Sequence, residues 1–500
     1  MECEKKLQFD VIFTKLSSYG RYNLLVFCCN QLLAFGMACD VVASFTNIGG
    51  LKPEYICHDP DMINVTDTCA ILKNCSNVTI QSQFYSVYQE FNWACINMAI
   101  PWSFASFNYI PSVFGMLIGS HLGDRFGRKT AIMLGFVGQL ISKIVLAISP
   151  TWQFYLTMGL VESFIWPFYW VCTYPLALET VGKRFRLLQT FAFQWTLAYM
   201  VGSLAAYLTR HWRTQIWVGY ALCFPAIVGF FFMQESPRWL IQKKRYDQAA
   251  LVLNRIAWVN GQKVRFSADE LQEIEVGEEP KTHLTDIFKL LCNCKLFKYV
   301  IALVAIYLSI RIVFMTIFMN IQDLAGSPFL NVALMGMMRL WSPLAIVVER
   351  KYVWFGRRLQ LLGTLTIVFL CYSTIACVYV FGYRENLHTV TTGLGLFGYA
   401  LSVSLVHVAA DQVAVELFPT VMRTTGTSST YLLGMIFGMI GPQLIYLRNY
   451  WNALPYIGAS VIIATGLLLG FLFIPETRDR ALPDTYESAV KDDTEKESTV

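Results

Sequence analysis

The chain has 500 residues, of which 55% are hydrophobic, 15% aromatic and only 15% charged. Soluble globular chains carry about 25% charged residues, so this composition excludes an ordinary soluble domain, a disordered chain and a basic nucleic-acid-binding protein. The net charge of +5 is mild, and the mean hydropathy of +0.46 points to apolar segments long enough to sit in lipid. The pattern is that of an all-α membrane protein.

Taken in chain order, residues 1 to 21 form a polar N-terminal stretch, with no apolar core and small-residue cleavage site ahead of the first long run. About twelve apolar runs of roughly 20 residues follow. They lie near 22 to 46, 104 to 122, 131 to 149, 153 to 175, 188 to 209 and 214 to 233, then 297 to 320, 329 to 349, 359 to 381, 389 to 415, 427 to 447 and 453 to 475. The predicted organisation is two six-helix halves, 22–233 and 297–475, joined by a polar linker, 234–296, and followed by a tail, 476–500. This division suggests an internal duplication. Within the linker, Tyr246 to Trp258 reads as an amphipathic surface helix.

Lysine and arginine crowd alternate connections: Arg125, Arg128 and Lys129; Lys183, Arg184 and Arg186; the linker; Arg350, Lys351, Arg357 and Arg358; and Arg423. By the positive-inside rule these connections are cytosolic, and an even number of spans places both termini inside. The loop from 47 to 103 then faces out, and the three N-x-S/T sequons of the chain all fall in it, at Asn64, Asn74 and Asn77. The same loop carries Cys57, Cys69, Cys75 and Cys95. Four cysteines in an oxidising compartment predict two disulfides, in any of three pairings. Cys292 and Cys294 lack further ligands nearby, and no metal site is expected.

At the end of the second run stands Gly115-x-x-x-Gly119-x-x-x-Gly123-Asp124-Arg125-Phe126-Gly127-Arg128-Lys129. Its glycines allow close helix approach, and the loop resembles the signature of the major facilitator superfamily. Between runs eight and nine only Phe355-Gly356-Arg357-Arg358 remains, with Val353 at the aspartate position, so the second copy is degenerate. Glu235-Ser236-Pro237-Arg238-Trp239-Leu240, Glu416-Leu417-Phe418-Pro419 through Arg423, Pro475-Glu476-Thr477-Arg478 and Glu90-Phe91-Asn92-Trp93-Ala94-Cys95 complete the set. Together with the long cysteine-bearing loop, they resemble the organic cation, organic anion and carnitine transporters of the solute carrier 22 type. The resemblance implies a major facilitator fold and a polyspecific plasma-membrane transporter working by alternating access, without an enzymatic activity or a cofactor. It also implies a latch of inter-helix ion pairs built from Asp124, Arg125, Gly127, Arg128, Glu179, Glu235, Arg238, Glu416, Arg423 and Glu476.

Binding sites in such transporters lie near the membrane midplane between the halves, so ionisable residues within spans are the first candidates. Each costs about 2.5 to 3.5 kcal/mol to place in a span. They are Asp40, Lys143, Glu162, Arg311, Arg339, His407 and Asp411. Span four adds Trp166, Trp170 and Tyr174 to Glu162 at four-residue spacing, with Tyr169 alongside, a face whose carboxylate and rings attract a cation. By offset from Glu179, Trp170 and Tyr174 match aromatic positions of the family's cation site. His407 and Asp411 share a face at i and i+4. Asp411 could bind a cation, carry a proton with His407, or pair with Arg311 or Arg339, and the arginines could hold a substrate carboxylate. Family positions that select substrate charge are occupied by Met435, Ala345 and Ser309, none of which selects.

No phosphate-binding G-x-x-x-x-G-K-[ST] loop is present, so energy comes from facilitated diffusion or ion coupling. The tail ends in Ser498, Thr499 and Val500, a carboxyl-terminal pattern suited to a PDZ-domain partner. The reading is a carrier of small organic cations or carnitine-like zwitterions. An organic anion transporter, and a non-transporting receptor or scaffold on the same fold, are the alternatives.

Overall fold

The computed structural model describes residues 16, 19–59, 68–181, 195–272, 293–340, 356–418 and 423–477. Asn64, Lys183, Arg184, Arg186, Cys292, Ala345, Arg350, Lys351, Val353 and Ser498 to Val500 lie outside them, as do the side chains of Tyr174, Tyr169, Cys294 and Arg423. The main helices are α1 (Arg21–Ala43), α2 (Tyr109–Phe126), α3 (Arg128–Ala147), α4 (Trp152–Glu179), α5 (Trp195–Thr209) and α6 (Trp212–Phe232). Then follow α7 (Cys294–Phe318), α8 (Pro328–Met337), α9 (Arg357–Val380), α10 (His388–Leu417), α11 (Arg423–Phe437) and α12 (Leu454–Phe473).

Among the described residues, eight stretches are long and apolar enough to cross a membrane, those containing α1, α3, α6, α7, α9, α10, α11 and α12. Of the others, α5 and α8 are short within the described residues, at 15 and 10 residues, and the lower hydropathy of α2 and α4 has local causes. Asp124, Arg125 and His121 dilute α2, and Glu162 with several Trp, Tyr and Pro residues dilutes α4. Within α10 the ladder loosens into a π turn at Ser402–Val406, directly before His407. Such turns mark places where a helix is re-aimed, often at functional sites.

The chain forms two compact units: Met1–Phe45 with Lys52–Cys95 and Ile110–Glu279, and Thr46–Leu51 with Ile96–Tyr109 and Pro280–Val500. In the first unit the glycine row of α2 receives the α4 backbone. A Cβ on Gly115 would stand 2.0 Å from the Phe164 carbonyl oxygen, one on Gly119 2.7 Å from Phe168 Cα, and one on Gly123 2.4 Å from Cys172 Sγ. Close backbone approach of this kind is how helices pack in lipid, where no hydrophobic drive joins them. The linker helices Pro237–Gln242 and Tyr246–Val259 belong to the same unit, and their Trp239, Leu240, Leu253 and Ile256 are buried with Tyr22 and Phe230 in one core.

The long loop holds a two-stranded antiparallel sheet, β1 (Glu54–Cys57) against β2 (Val78–Gln81). Of the three possible pairings the structure has Cys57–Cys75 and Cys69–Cys95. The loop is moored to α6 by Glu90, whose carboxylate accepts from Trp212 Nε1 at 2.6 Å and pairs with Arg213 at 2.5 Å. Phe45, Phe91, Trp93, Tyr155 and Trp212 pack edge-on or tilted around that anchor with ring separations of 5.3 to 6.4 Å. Asn74 and Asn77 are exposed.

Candidate functional site

Each unit has a carboxylate seated on the first turn of a helix. Glu235 accepts the Lys129 N–H at 3.1 Å and its own neighbour Ser236 N–H at 2.9 Å. It thereby satisfies an orphan donor at the start of α3, where the helix dipole also favours negative charge. Gly127 makes room: its φ is +107°, a conformation natural only to glycine, and a Cβ there would lie 2.2 Å from Glu235 Oε2. Trp239 Nε1 donates to the Asp124 carbonyl at 3.0 Å, and Lys129 Nζ donates to the Met233 carbonyl at 2.5 Å. In the second unit Glu476 does the same for α9, accepting from Arg357 N–H at 3.0 Å and Arg358 N–H at 3.2 Å, again beneath a glycine, Gly356.

The ion pairs repeat as well. Arg128 pairs with Asp124 and lies 4.0 Å from Glu179 at the end of α4. Arg357 pairs with Glu416 at the end of α10. The second loop, degenerate in sequence, keeps its arginine-to-glutamate pair and its glutamate cap. Arg125 instead lies over the Phe126 ring at 5.4 Å, and Arg238 sits on the Pro237–Gln242 helix.

The span residues gather into two clusters, one in each unit. In the first, Lys143 of α3 pairs with Glu162 of α4 and, at 3.7 Å, with Asp40 of α1, while Gln139 Nε2 donates to Glu162 at 3.1 Å. Glu162 is therefore one member of a buried triad. Beside it a ladder of rings runs Trp166, Trp170, Trp195 and Tyr199, at 6.0, 5.9 and 5.6 Å. Trp166 also packs against the core of the unit.

In the second cluster, Tyr307 of α7 donates to Asp411 Oδ1 at 2.7 Å, and His407 Nε2 is 3.7 Å from Asp411 Oδ2. Tyr307 also meets His407 and Tyr431 edge-on at 6.2 and 5.9 Å, and Arg311 Nη2 donates to the Tyr431 hydroxyl at 3.4 Å. Asp411 keeps 54% of its side chain exposed and His407 37%, so both remain reachable. The structure thus joins Arg311, His407 and Asp411 through two tyrosines. Arg339 lies elsewhere, just after α8, beside Tyr399.

The sequence of residues 73–487 matches the family model described as "Sugar (and other) transporter". The chain belongs to the sugar (and other) transporter family. Within the major facilitator superfamily, this transporter is similar to human solute carrier family 22 member 2, 28% identical over 427 residues that cover 81% of this chain and 71% of the relative. Human solute carrier family 22 member 7 is 28% identical over 390 residues, covering 75% and 68%. The inward-open xylose transporter XylE from E. coli superposes with a TM-score of 0.60 at 15% identity, covering 92% of this chain and 97% of that one. At that identity the likeness carries the fold. The protein is a multi-pass membrane transporter and not an enzyme.

Sequence reasoning missed four residues of this transporter's clusters. Tyr307 and Tyr431 carry no charge and stood unremarked among 25 tyrosines. Trp195 and Tyr199, at i and i+4 on α5, had a helical spacing that could have flagged them. Ser309 is explained by packing: it is fully buried, donates to Ala305 and Ile462 carbonyls at 2.8 and 3.2 Å, and faces Gly466 of α12. No tryptophan fits there.

Proposed function

We propose that this protein is a plasma-membrane carrier of small organic cations and carnitine-like zwitterions, working by alternating access with its termini in the cytosol. The observation that carries the reading is the α7–α10–α11 cluster, where one reachable carboxylate, Asp411, and one guanidinium, Arg311, are linked through Tyr307 and Tyr431. A carboxylate with aromatic neighbours attracts an ammonium group, and a guanidinium linked to it through two tyrosine rings receives a carboxylate. Glu162, Trp166, Trp170 and Tyr174 serve as the cation-attracting face of the first unit, with Trp195 extending it; Arg339 and His407 complete the substrate-contacting set. The printed name of one relative, the organic cation transporter protein of Drosophila melanogaster, 25% identical over 443 residues, supports the same substrate class.

The Arg128–Glu179 and Arg357–Glu416 pairs, with the Glu235 and Glu476 caps, act as the latch. Each pair ties two cytosolic helix ends within its own unit and breaks as the transporter changes state. On the outside, Asn64, Asn74 and Asn77 carry glycans.

The test is uptake in cells by a panel of tetraethylammonium, carnitine and an aryl carboxylate, normalised to surface protein. Saturable uptake of the first two, weakened by Asp411→Asn, supports the reading. Uptake of the carboxylate alone would make the protein an anion carrier, and uptake of none would leave a scaffold.

A further inference from the structure

The charge of the first unit's cluster does not balance. Asp40 and Glu162 bring two carboxylates to one ammonium, Lys143, with side-chain exposures of 14%, 21% and 7%. A net charge of −1 is left among apolar helices, where each ionisable group already costs about 2.5 to 3.5 kcal/mol. The hydrogen-bond account is short on the same side. The acceptors are the four carboxylate oxygens and Gln139 Oε1, which is buried with no partner among the described residues. Against them stand the three N–H groups of Lys143 and the two of the Gln139 amide, one already committed to Glu162, and none of them reaches Gln139 Oε1. One added proton removes both deficits, since it cancels the charge and turns one carboxylate oxygen into a donor.

We infer that the Asp40–Lys143–Glu162 cluster is a proton-exchange site through which this carrier trades a proton for an organic cation. The inference rests on the transporter reading above. A proton and an organic cation compete for one negative charge. When the cation arrives, the carboxyl O–H bond breaks and its proton leaves to water on the side to which the site is open. When the cation departs on the other side, a proton from there restores the O–H. No electron moves, and one positive charge crosses each way, so the cycle is electroneutral.

The titratable neighbours come from each element packed on the cluster. Helix α1 adds Cys39, α4 adds Tyr155 two turns before Glu162, and α6 adds Tyr220 and Cys223. Tyr220 donates to the Leu140 carbonyl at 3.1 Å, and Tyr199 of α5 turns its ring to Trp195. These groups are thiols and phenols, neutral in the physiological range, so the two carboxylates are left to carry the exchanged proton.

Two measurements on the full chain test this. In nanodiscs, infrared difference spectra taken across a pH titration should show a protonated-carboxyl band that is lost in Asp40→Asn with Glu162→Gln and retained in Asp411→Asn. Single isosteric Asp40→Asn, which halves the acid, reads the same band if the double variant fails to fold. A band unchanged by these substitutions, or a cluster that responds to sodium in place of pH, overturns the inference. In liposomes clamped at zero potential, an interior more acidic by about one pH unit should concentrate tetraethylammonium about tenfold. Accumulation that follows membrane potential and ignores pH also overturns it. Absent tetraethylammonium transport with an intact titrating band refutes the cation reading alone and upholds the proton site.

Discussion

Replacing Gly127 by alanine tests the latch more sharply than removing a charge, because the two units set up a comparison. At Gly127 the backbone has φ +107° and ψ 152°, a region essentially closed to other residues, so a side chain costs about 1 to 3 kcal/mol in strain. Its Cβ would also displace the Glu235 carboxylate and free the α3 amide, adding about 0.5 to 2 kcal/mol of lost capping. The sum, about 1.5 to 5 kcal/mol, shifts a latched-to-open equilibrium by roughly tenfold or more. Gly356 differs in one respect only: its φ is −66° and ψ 160°, an ordinary extended backbone. There Gly356→Ala meets Glu476 Oε2 at 2.4 Å and pays the capping part alone. The aggregation temperature of solubilised protein and tetraethylammonium uptake per surface copy should therefore rank Gly127→Ala well below Gly356→Ala. Equal losses, or a worse Gly356→Ala, would refute the reasoning.

Three other outcomes follow from the geometry. Tyr307→Phe removes the hydroxyl that orients Asp411, a bond worth about 1 kcal/mol, so KM for tetraethylammonium should rise roughly three- to tenfold with surface expression unchanged. Removing the Cys69–Cys95 disulfide by paired serine substitution should cost about 2 to 5 kcal/mol of loop stability, seen as reduced surface protein and faster proteolysis of the loop. His211 stacks on Tyr85 at 4.8 Å and accepts the Arg213 N–H on Nδ1 at 3.2 Å. Burial, opposed by Glu90 and reinforced by Arg213, lowers its pKa from 6.5. The folded protein thus binds fewer protons than the unfolded chain, so this stability is present above pH 6.5 and lost as pH falls through the folded pKa. Protease protection of the loop should fall with acid in the wild type and stay flat in His211→Phe.

Helix positions were legible because lipid enforces long apolar runs: α1, α3, α9 and α12 begin and end within a few residues of their predicted spans. Partnerships were less legible. Glycines at 115, 119 and 123 announced a close helix contact, but only the fold shows that α4 fills it. Glu162 read as a free carboxylate on an aromatic face, because nothing local signals that Lys143, 19 positions earlier on another helix, reaches it. The second latch looked degraded when judged by its missing aspartate. The residues that meet there are Gly356, Arg357, Glu416 and Glu476, spread over 120 residues and joined only in three dimensions.

Counterflow in liposomes reconstituted with the purified protein tests alternating access of an organic cation most directly. Vesicles preloaded with unlabelled tetraethylammonium should take up the labelled compound transiently above equilibrium, and Asp411→Asn should reduce the overshoot. Correctly inserted protein that gives no overshoot with tetraethylammonium or with carnitine would contradict the account.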